Sequence, residues 1–251
     1  MNWALRFLGV GNSLAAPVLG SASAVIERAG QPWLLIDCGQ ETLSAFEAQY
    51  AGLPDAVFIT HLHMDHIGGL ERLFIKTYFD PSRRGRTVLY VPSALVPAMH
   101  ARLADYPGVL AEGGANWWDA FRLVPVSKGF WHDGIHLEVF PVRHHLPDSA
   151  FGLRLPGSMV WTGDTRPVPE QLERFSGNGE LIAHDCALHG NPSHTGLADV
   201  QREYSAPLQK QLCLYHYAST DDADAMRAQG FVVAEQLQRF SIAEPSSGLV
   251  Q

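Results

Sequence analysis

The sequence predicts an α+β fold in which two β-sheets pack face to face with helices outside them, a four-layer αββα sandwich. Two observations predict this fold. Short apolar runs bounded by Gly, Pro or Asp recur along the whole chain, as β-strands do. Helical patterns lie between some of these runs, while strands dominate each half of the chain.

The predicted elements can be placed in order along the chain. The strands cover residues 5–10, 33–36, 56–59, 88–91, 137–142, 159–161 and 212–215. The helices cover residues 41–49, 94–103, 197–208 and 223–229. The first strand is expected to lie at the edge of a sheet and to be followed by a glycine turn.

Length and composition suit one globular domain over residues 1–251. Of the 251 residues, 46% are hydrophobic and 18% are charged, which is enough to bury a substantial core. The 18 basic and 26 acidic side chains give a formal charge of −8. This balance does not favour a protein that holds a long polyanion over a broad surface, but it is compatible with one phosphate neutralised by metal ions.

The N-terminal segment resembles a signal peptide only superficially. Arg6 interrupts its apolar run, and Gly9 and Gly11 break the run again before any cleavage point. No other stretch approaches the roughly 18 apolar residues of a membrane-spanning helix. The three cysteines are widely separated and form no CxxC pair, as is typical of reduced thiols. We therefore expect a soluble, cytoplasmic protein.

The strongest chemical signal follows the predicted strand 56–59 directly. It is the segment Thr60-His61-Leu62-His63-Met64-Asp65-His66-Ile67-Gly68-Gly69. Without a cation, its four metal-binding side chains would be costly to desolvate and would repel one another when protonated. In an extended segment His61 and His63 point to the same side, so both imidazoles can reach one ion. Asp65 and His66 follow where the chain turns and can face a second ion.

The pattern His-x-His-x-Asp-His-x-Gly-Gly resembles the signature of the metallo-β-lactamase superfamily, and the later motifs follow in that superfamily's order. These motifs are Val142-Arg143-His144-His145, Thr162-Gly163-Asp164-Thr165 and Leu214-Tyr215-His216. The resemblance implies two divalent metal ions bridged by Asp164. The first ion would be held by His61, His63 and His144, and the second by Asp65, His66 and His216. Imidazole and carboxylate ligands suit Zn²⁺, with Mn²⁺ or Fe²⁺ as alternatives.

Two assignments stay open at this point. Either His144 or the adjacent His145 can be the third histidine of the first ion, and the Leu146-Pro147 that follows fits the superfamily's pattern with His144 as the ligand. Asp37, after the predicted strand 33–36, either holds the second N–H of a histidine ligand or caps the turn at Gly39.

The metal ligands predict hydrolysis. Two ions about 3.5–4 Å apart lower the pKa of a shared water and stabilise charge on both sides of a displacement. The resemblance implies that Asp65, besides being a ligand, orients or deprotonates this water. The predicted nucleophile is therefore a metal-bridging hydroxide, but the ligands alone do not name the bond that is cleaved.

A second pair of motifs concerns that bond: Ala183-His184-Asp185-Cys186 and Ser193-His194-Thr195. These motifs resemble the phosphodiesterase branch, which includes ribonuclease Z and the cyclic phosphodiesterases of phosphonate metabolism. The resemblance implies that His194 is the general acid for the leaving oxygen and that Asp185 orients it. Ribonuclease Z usually has Glu where this chain has Asp185. His194 is expected to open a helix whose N-terminus favours an anionic ligand.

The predicted function is therefore a dinuclear-metal phosphodiesterase for a small or cyclic phosphodiester. RNA is less favoured as a substrate, because the chain is acidic and lacks a Gly/Pro-rich insertion like the flexible arm of ribonuclease Z. The alternative function is a thioester or lactone hydrolase of the glyoxalase II or lactonase type, which needs no contribution from His194. The resemblance also implies a homodimer, by analogy alone.

Overall fold

The computed structural model of the protein describes residues 2–103, 113–175, 177 and 179–246. Its strands are β1 Trp3–Gly9, β2 Ser23–Arg28, β3 Gln31–Ile36, β4 Ala56–Phe58, β5 Thr87–Pro92, β6 Phe121–Val126, β7 Gly129–His132, β8 Ile135–Pro141, β9 Phe151–Leu155, β10 Met159–Trp161, β11 Leu181–Asp185, β12 Leu212–Tyr215, β13 Val232–Val233 and β14 Arg239–Ile242.

The helices are α1 Ala16–Leu19, α2 Thr42–Gln49, α3 Met64–Ile67, α4 Leu70–Tyr78, α5 Val96–Leu103, α6 Trp117–Ala120, α7 Pro169–Phe175, α8 Leu197–Glu203, α9 Ala206–Gln209 and α10 Thr220–Ala228. A 3₁₀ turn at Ser93–Leu95 precedes α5. In the part of the chain that the structure describes, no helix is both long and apolar enough to span a membrane.

The strands form two sheets of seven strands each. The first sheet has the order β14-β1-β2-β3-β4-β5-β6, and the second has the order β13-β12-β11-β10-β9-β8-β7. In the first sheet β3 to β6 run parallel, and in the second β10 to β13 do. The remaining neighbours are antiparallel. Each sheet therefore has a parallel half, at whose carboxyl edge ligands usually bind in open α/β sheets.

Aromatic side chains join the inner faces of the two sheets. Phe7 of β1 lies 5.6 Å from Trp161 of β10 and 5.9 Å from Tyr215 of β12, between ring centroids. At the other end of the interface, Phe58 of β4 stacks on Phe130 of β7. All five side chains are buried, so they belong to a core between two facing sheets. The four-layer αββα sandwich predicted from the sequence is confirmed.

The prediction that the first strand lies at a sheet edge was wrong. Residues Trp3–Gly9 have β2 on one side and β14 on the other, with Trp3 paired to Ile242 and Arg6 to Arg239. The sequence pattern of β1 could not reveal this, because its partner lies at the opposite end of the chain. β14 itself forms the edge.

The single helix predicted over residues 197–208 is interrupted. α8 ends at Glu203, and α9 begins at Ala206 with a proline in its first turn. That residue, Pro207, has no N–H, and its ring would clash with the carbonyl of Glu203 if the helix continued. The break is therefore a direct consequence of the proline.

A buried carboxylate ties β14 to the rest of the first sheet. Glu27 of β2 is 1% exposed and accepts hydrogen bonds from Arg6 at 2.7 Å, Arg239 at 2.7 Å and the Tyr50 hydroxyl at 2.7 Å. Burial raises the pKa of Glu27, but the three donors outweigh this effect and hold its pKa below the ordinary value of 4.5. Glu27 therefore stabilises the fold in its ionised form.

We expect Glu27→Gln to lower the free energy of unfolding by about 1–3 kcal/mol at pH 7, because hydrogen bonds to a charged acceptor are lost. Since the pKa is lowered in the folded state, the difference from wild type should persist above the ordinary carboxyl pKa and shrink as the pH falls through the folded value. Urea unfolding at several pH values measures this. Asp55→Asn, at an exposed carboxylate paired with Arg83, is the control and should change little. A pH-independent difference would contradict the prediction.

Candidate metal centre

The candidate site lies where strands of both sheets end. The first sheet supplies Asp37, just after β3, and the segment beginning at His61, shortly after β4. The second sheet supplies the other side chains, from residues at or just after the ends of β8, β10, β11 and β12: His144, Asp164, Asp185 and His216. The carboxyl ends of these strands therefore meet at one edge of the sandwich, and the site lies between the two sheets.

The histidine-rich segment changes from extended chain to helix within the motif. His63 has extended backbone angles and is the N-cap of α3, so Asp65 and His66 lie in the first turn of that helix. Glycine is required nearby, since a Cβ on Gly39 would lie 2.0 Å from the carbonyl oxygen of Asp65. This close approach of two backbones fixes the position of Asp65 and of the adjacent His66.

Four of the predicted ligands form a first group. One ligand atom from each of His61, His63, His144 and Asp164 lies within 4.8 Å of every other. His61 Nε2 is 3.1 Å from His63 Nδ1, and His144 Nε2 is 3.2 Å from the same atom. His61 Nε2 also lies 3.5 Å from Asp164 Oδ2. The four donors therefore surround one point, as a tetrahedral site requires.

Asp164 also belongs to a second group, together with Asp65, His66 and His216. His66 Nε2 lies 3.3 Å from Asp164 Oδ1 and 3.6 Å from Asp65 Oδ2. His216 Nε2 lies 3.3 Å from Asp164 Oδ2. The two oxygens of the Asp164 carboxylate are thus available to both groups.

Unsatisfied polar atoms show that this donor set fits a cation. His66 Nε2, Asp164 Oδ1 and His216 Nε2 are buried and have no hydrogen-bond partner, although each such atom is costly to leave unpaired. All three atoms belong to the second group. A divalent ion would satisfy them together, so the geometry is suited to divalent metal binding.

The two groups differ in their protonation. Burial lowers the pKa of His144 to about 4 and that of His61 well below its ordinary value. Burial also acts to lower the pKa of His216, but Asp164 and Asp185 outweigh it and raise the pKa to about 10. The first group therefore presents neutral imidazoles, whereas an ion at the second group must displace protons.

The structure distinguishes His144 from His145. His144 Nδ1 donates to the carbonyl of Ser193 at 2.9 Å, which turns Nε2 toward the first group. His145 is exposed, and its ring lies 4.8 Å from that of His63. Among the described residues, the groups of potential ligands include His144 and not His145.

Asp37 lies beside a histidine of the second group. His66 Nδ1 donates to Asp37 Oδ2 at 2.8 Å, and Thr60 donates to the same carboxylate through its backbone N–H and its hydroxyl. The Thr60 hydroxyl also accepts from His61 Nδ1 at 3.0 Å. One carboxylate therefore orients an imidazole in each group, directly for His66 and through Thr60 for His61.

His194 lies next to both groups and is held by Asp185. His194 Nδ1 donates to Asp185 Oδ2 at 2.8 Å, and its ring stacks on His216 at 4.8 Å between centroids. Asp185 Oδ2 also accepts from the backbone N–H of Thr165, while Oδ1 lies 3.3 Å from His216 Nδ1. Burial raises the pKa of Asp185, but His216 and His194 outweigh it and lower the pKa.

The expectation that His194 opens a helix was wrong. α8 begins at Leu197 with Gly196 as its N-cap, so His194 precedes the helix by three residues. His194 instead ends a short turn that starts at Asn191. The turn, and not a helix N-terminus, determines where the imidazole lies.

A cavity of about 500 Å³ opens onto the candidate metal ligands. Its wall includes Asn12, Ser13 and Leu14 from the loop after β1, as well as Asn191 and Ser193. Leu14 is 90% exposed. Apart from Ser193, which stands in the motif Ser193-His194-Thr195, sequence reasoning missed these lining residues, because none carries a metal-binding or acid–base group. The glycines around Asn12 were the only local signal that the chain turns there.

The family described as "Anti-Pycsar protein Apyc1" matches residues 3–240. A protein of that name from Paenibacillus harenae is 26% identical over 247 residues, which cover 95% of this chain and 99% of that protein. Its namesake from Saccharibacillus brassicae is 30% identical over 227 residues, covering 87% and 91%. Ribonuclease Z of Mycobacterium marinum (strain ATCC BAA-535 / M) is 27% identical over 244 residues, covering 91% and 82%.

Two solved structures resemble the whole chain. The metallo-β-lactamase fold protein YhfI from Bacillus subtilis has a TM-score of 0.73 and 15% identity, covering 96% of this chain and 100% of that one. A diphosphatase from the PhnP family has a TM-score of 0.74 and 18% identity, covering 96% and 97%. At these identities they show the fold alone, and the predicted metallo-β-lactamase fold is confirmed.

We expect Asp37→Asn to weaken binding of the second ion by about 10- to 100-fold, because its amide has one accepting oxygen instead of two and cannot satisfy both the His66 Nδ1–H and the Thr60 N–H. Asparagine tolerates the left-handed backbone of this position, where φ is 60°. Competition for Zn²⁺ between the protein and a chelator measures the affinity of each ligand group for its ion. The affinity for the first ion should be less affected. Asp133→Asn is a matched control, since Asp133 is also left-handed, with φ 46°, and lies in the β7–β8 turn. Equal affinities in wild type and Asp37→Asn would contradict the prediction.

Proposed function

The chain belongs to the Anti-Pycsar protein Apyc1 family, and from this premise we propose that it hydrolyses a cyclic nucleotide to a nucleoside monophosphate. It is a metal-dependent hydrolase of the phosphodiesterase type, as the sequence predicted. The opening of a cyclic phosphodiester consumes one water: one P–O bond forms, another breaks, and the leaving ribose oxygen takes a proton.

One arrangement carries this proposal: a histidine that can donate a proton lies against the metal ligands. The ring of His194 is 4.8 Å from those of His144 and His216, between centroids. Its Nδ1 is bonded to Asp185, so Nε2 is the nitrogen left to face a substrate. A ribose oxygen is a strongly basic leaving group, and a placed proton donor of this kind accelerates its departure.

Each residue then has one task in the reaction. His194 gives a proton from Nε2 to the leaving oxygen, and its hydrogen bond to Asp185 fixes which nitrogen is free. Asp65, whose side chain is 14% exposed, orients the attacking water on the cavity side. Two divalent ions, when bound by the two ligand groups, would supply water activation and neutralise the phosphate.

We assign Zn²⁺ as the native metal, since imidazole nitrogens and carboxylate oxygens in closely spaced groups suit it. Three imidazoles and one carboxylate make up the first group, and two of each make up the second. Mn²⁺ and Fe²⁺ accept the same ligands and are the alternatives.

The charges of the cavity support a substrate with a single phosphate. No lysine or arginine is found among the described residues that line the cavity of about 500 Å³; apart from histidines and two aspartates they are uncharged. A chain of RNA phosphates needs lysine and arginine contacts along its path. One phosphodiester beside two divalent ions does not, so a small cyclic substrate fits this wall better than folded RNA.

The first test compares substrates for the zinc- or manganese-loaded protein. We expect hydrolysis of bis(p-nitrophenyl) phosphate and of a 3′,5′-cyclic nucleotide, and we expect chelation to abolish both activities. A thioester and a lactone tested in parallel cover the alternative function, the glyoxalase II or lactonase type. Rapid turnover of either with no phosphodiester cleavage would refute the proposal.

The second test concerns the proton donor. His194→Ala should reduce kcat for the cyclic nucleotide by about 10²–10⁴-fold, as expected for loss of a general acid. The zinc content of the protein should stay unchanged, since the metal ligands remain. His189→Ala is the matched control, because His189 is an exposed histidine of the same loop. If His194→Ala and His189→Ala hydrolyse the cyclic nucleotide at the same rate, His194 has no part in the mechanism.

A further inference from the structure

The turn that ends in His194 is closed by one side chain together with two backbone hydrogen bonds. Asn191 Oδ1 accepts from the backbone N–H of Ser193 at 2.8 Å and from that of His194 at 3.0 Å. The backbones of Asn191 and His194 also exchange two longer hydrogen bonds. With Asn first and Pro192 second, the sequence has the residues that favour such a turn.

The chain on both sides of this turn is fixed. After His194, the backbone N–H and the hydroxyl of Thr195 both donate to the carbonyl of Thr165. Before the turn, Gly190 packs on Gly196 so closely that a Cβ on Gly196 would lie 2.3 Å from the nitrogen of Gly190. The flanking chain therefore holds both ends of the turn, and the turn that Asn191 helps to close sets the place of His194.

Two groups of the active site depend on this turn. The carbonyl of Ser193 accepts the Nδ1–H of His144, a residue of the first ligand group. The next residue, His194, reaches Asp185 through its own Nδ1. The peptide between them is one rigid unit, so a shift of the turn displaces His194 relative to Asp185 and to His144.

We propose that Asn191 is a positioning residue for the reaction, which holds the proton donor His194 in register with the metal ligand His144. This inference rests on the proposed function of His194. Asn191 is exposed and lines the cavity, but its side-chain oxygen is occupied by the turn. This oxygen therefore acts on the reaction through His194.

The test uses two substrates that differ in their need for a proton. A ribose oxygen must be protonated as it leaves, whereas p-nitrophenolate leaves as a stable anion. In the zinc-loaded protein, Asn191→Ala should lower kcat for the cyclic nucleotide by about 10- to 100-fold through misplacement of the donor. The rate with bis(p-nitrophenyl) phosphate should stay within about twofold, because its leaving group gains little from general acid catalysis.

Two further variants complete the design. Asn191→Asp keeps an oxygen that can accept both N–H groups and should retain most of the kcat for the cyclic nucleotide, with a higher KM because its charge repels the phosphate. Asn116→Ala removes a comparable asparagine cap at α6, where Asn116 Oδ1 accepts from the Trp118 N–H, and should leave both rates unchanged. Metal content is measured for every variant, so that a lost ion is not mistaken for a misplaced donor.

A measurement without turnover separates this inference from the proposed function. In ¹H–¹⁵N spectra of histidine side chains, the His194 Nδ1 proton bonded to Asp185 should give a downfield signal that Asn191→Ala weakens or shifts and Asn191→Asp preserves. An unchanged NMR signal would overturn the role of Asn191 if it came with an equal loss of rate for both substrates. It would do so equally if it came with no loss of rate for either. Failure of the wild type to cleave any phosphodiester would refute the proposed function instead.

Discussion

The buried carboxylate of Asp164 is the constraint on which the site depends. Asp164 is 1% exposed; burial raises its pKa, yet His216 and His66 outweigh this effect and hold the pKa well below its ordinary value. An ionised carboxylate in such a place requires positive charge on several sides. The strands of both sheets must therefore end close together, and His216 adopts a left-handed backbone, with φ 73°, to reach it.

Each sheet also brings one acidic residue that orients the histidines. Asp37, after β3 of the first sheet, receives the N–H of His66. Asp185, at the end of β11 in the second sheet, receives that of His194 and lies 3.3 Å from Nδ1 of His216. The candidate metal ligands and the proposed proton donor therefore share their supports, so the geometry of one depends on that of the other.

The sequence predicted the parts of the structure that local pattern determines. Two predicted strands have the bounds that the structure gives them, Met159–Trp161 and Leu212–Tyr215, because short apolar runs with sharp ends are unambiguous. Tertiary pairing could not be predicted in this way, as the place of β1 beside β14 shows. Likewise, the role proposed for Asn191 depends on the contacts of Ser193 with His144 and of His194 with Asp185, and the local sequence Asn-Pro-Ser-His does not contain these tertiary contacts.

The pairing of β1 with β14 has a consequence for how the protein is made. Arg6 faces Arg239 across this pair, and Glu27 bonds to Arg239 over a separation of 212 residues. During synthesis, one edge of β1 therefore stays unpaired until nearly all of the described chain has left the ribosome. An unpaired strand edge is a template for association with other chains, and contacts of such long range form slowly. The nascent protein thus carries an aggregation-prone edge until its last described strand docks.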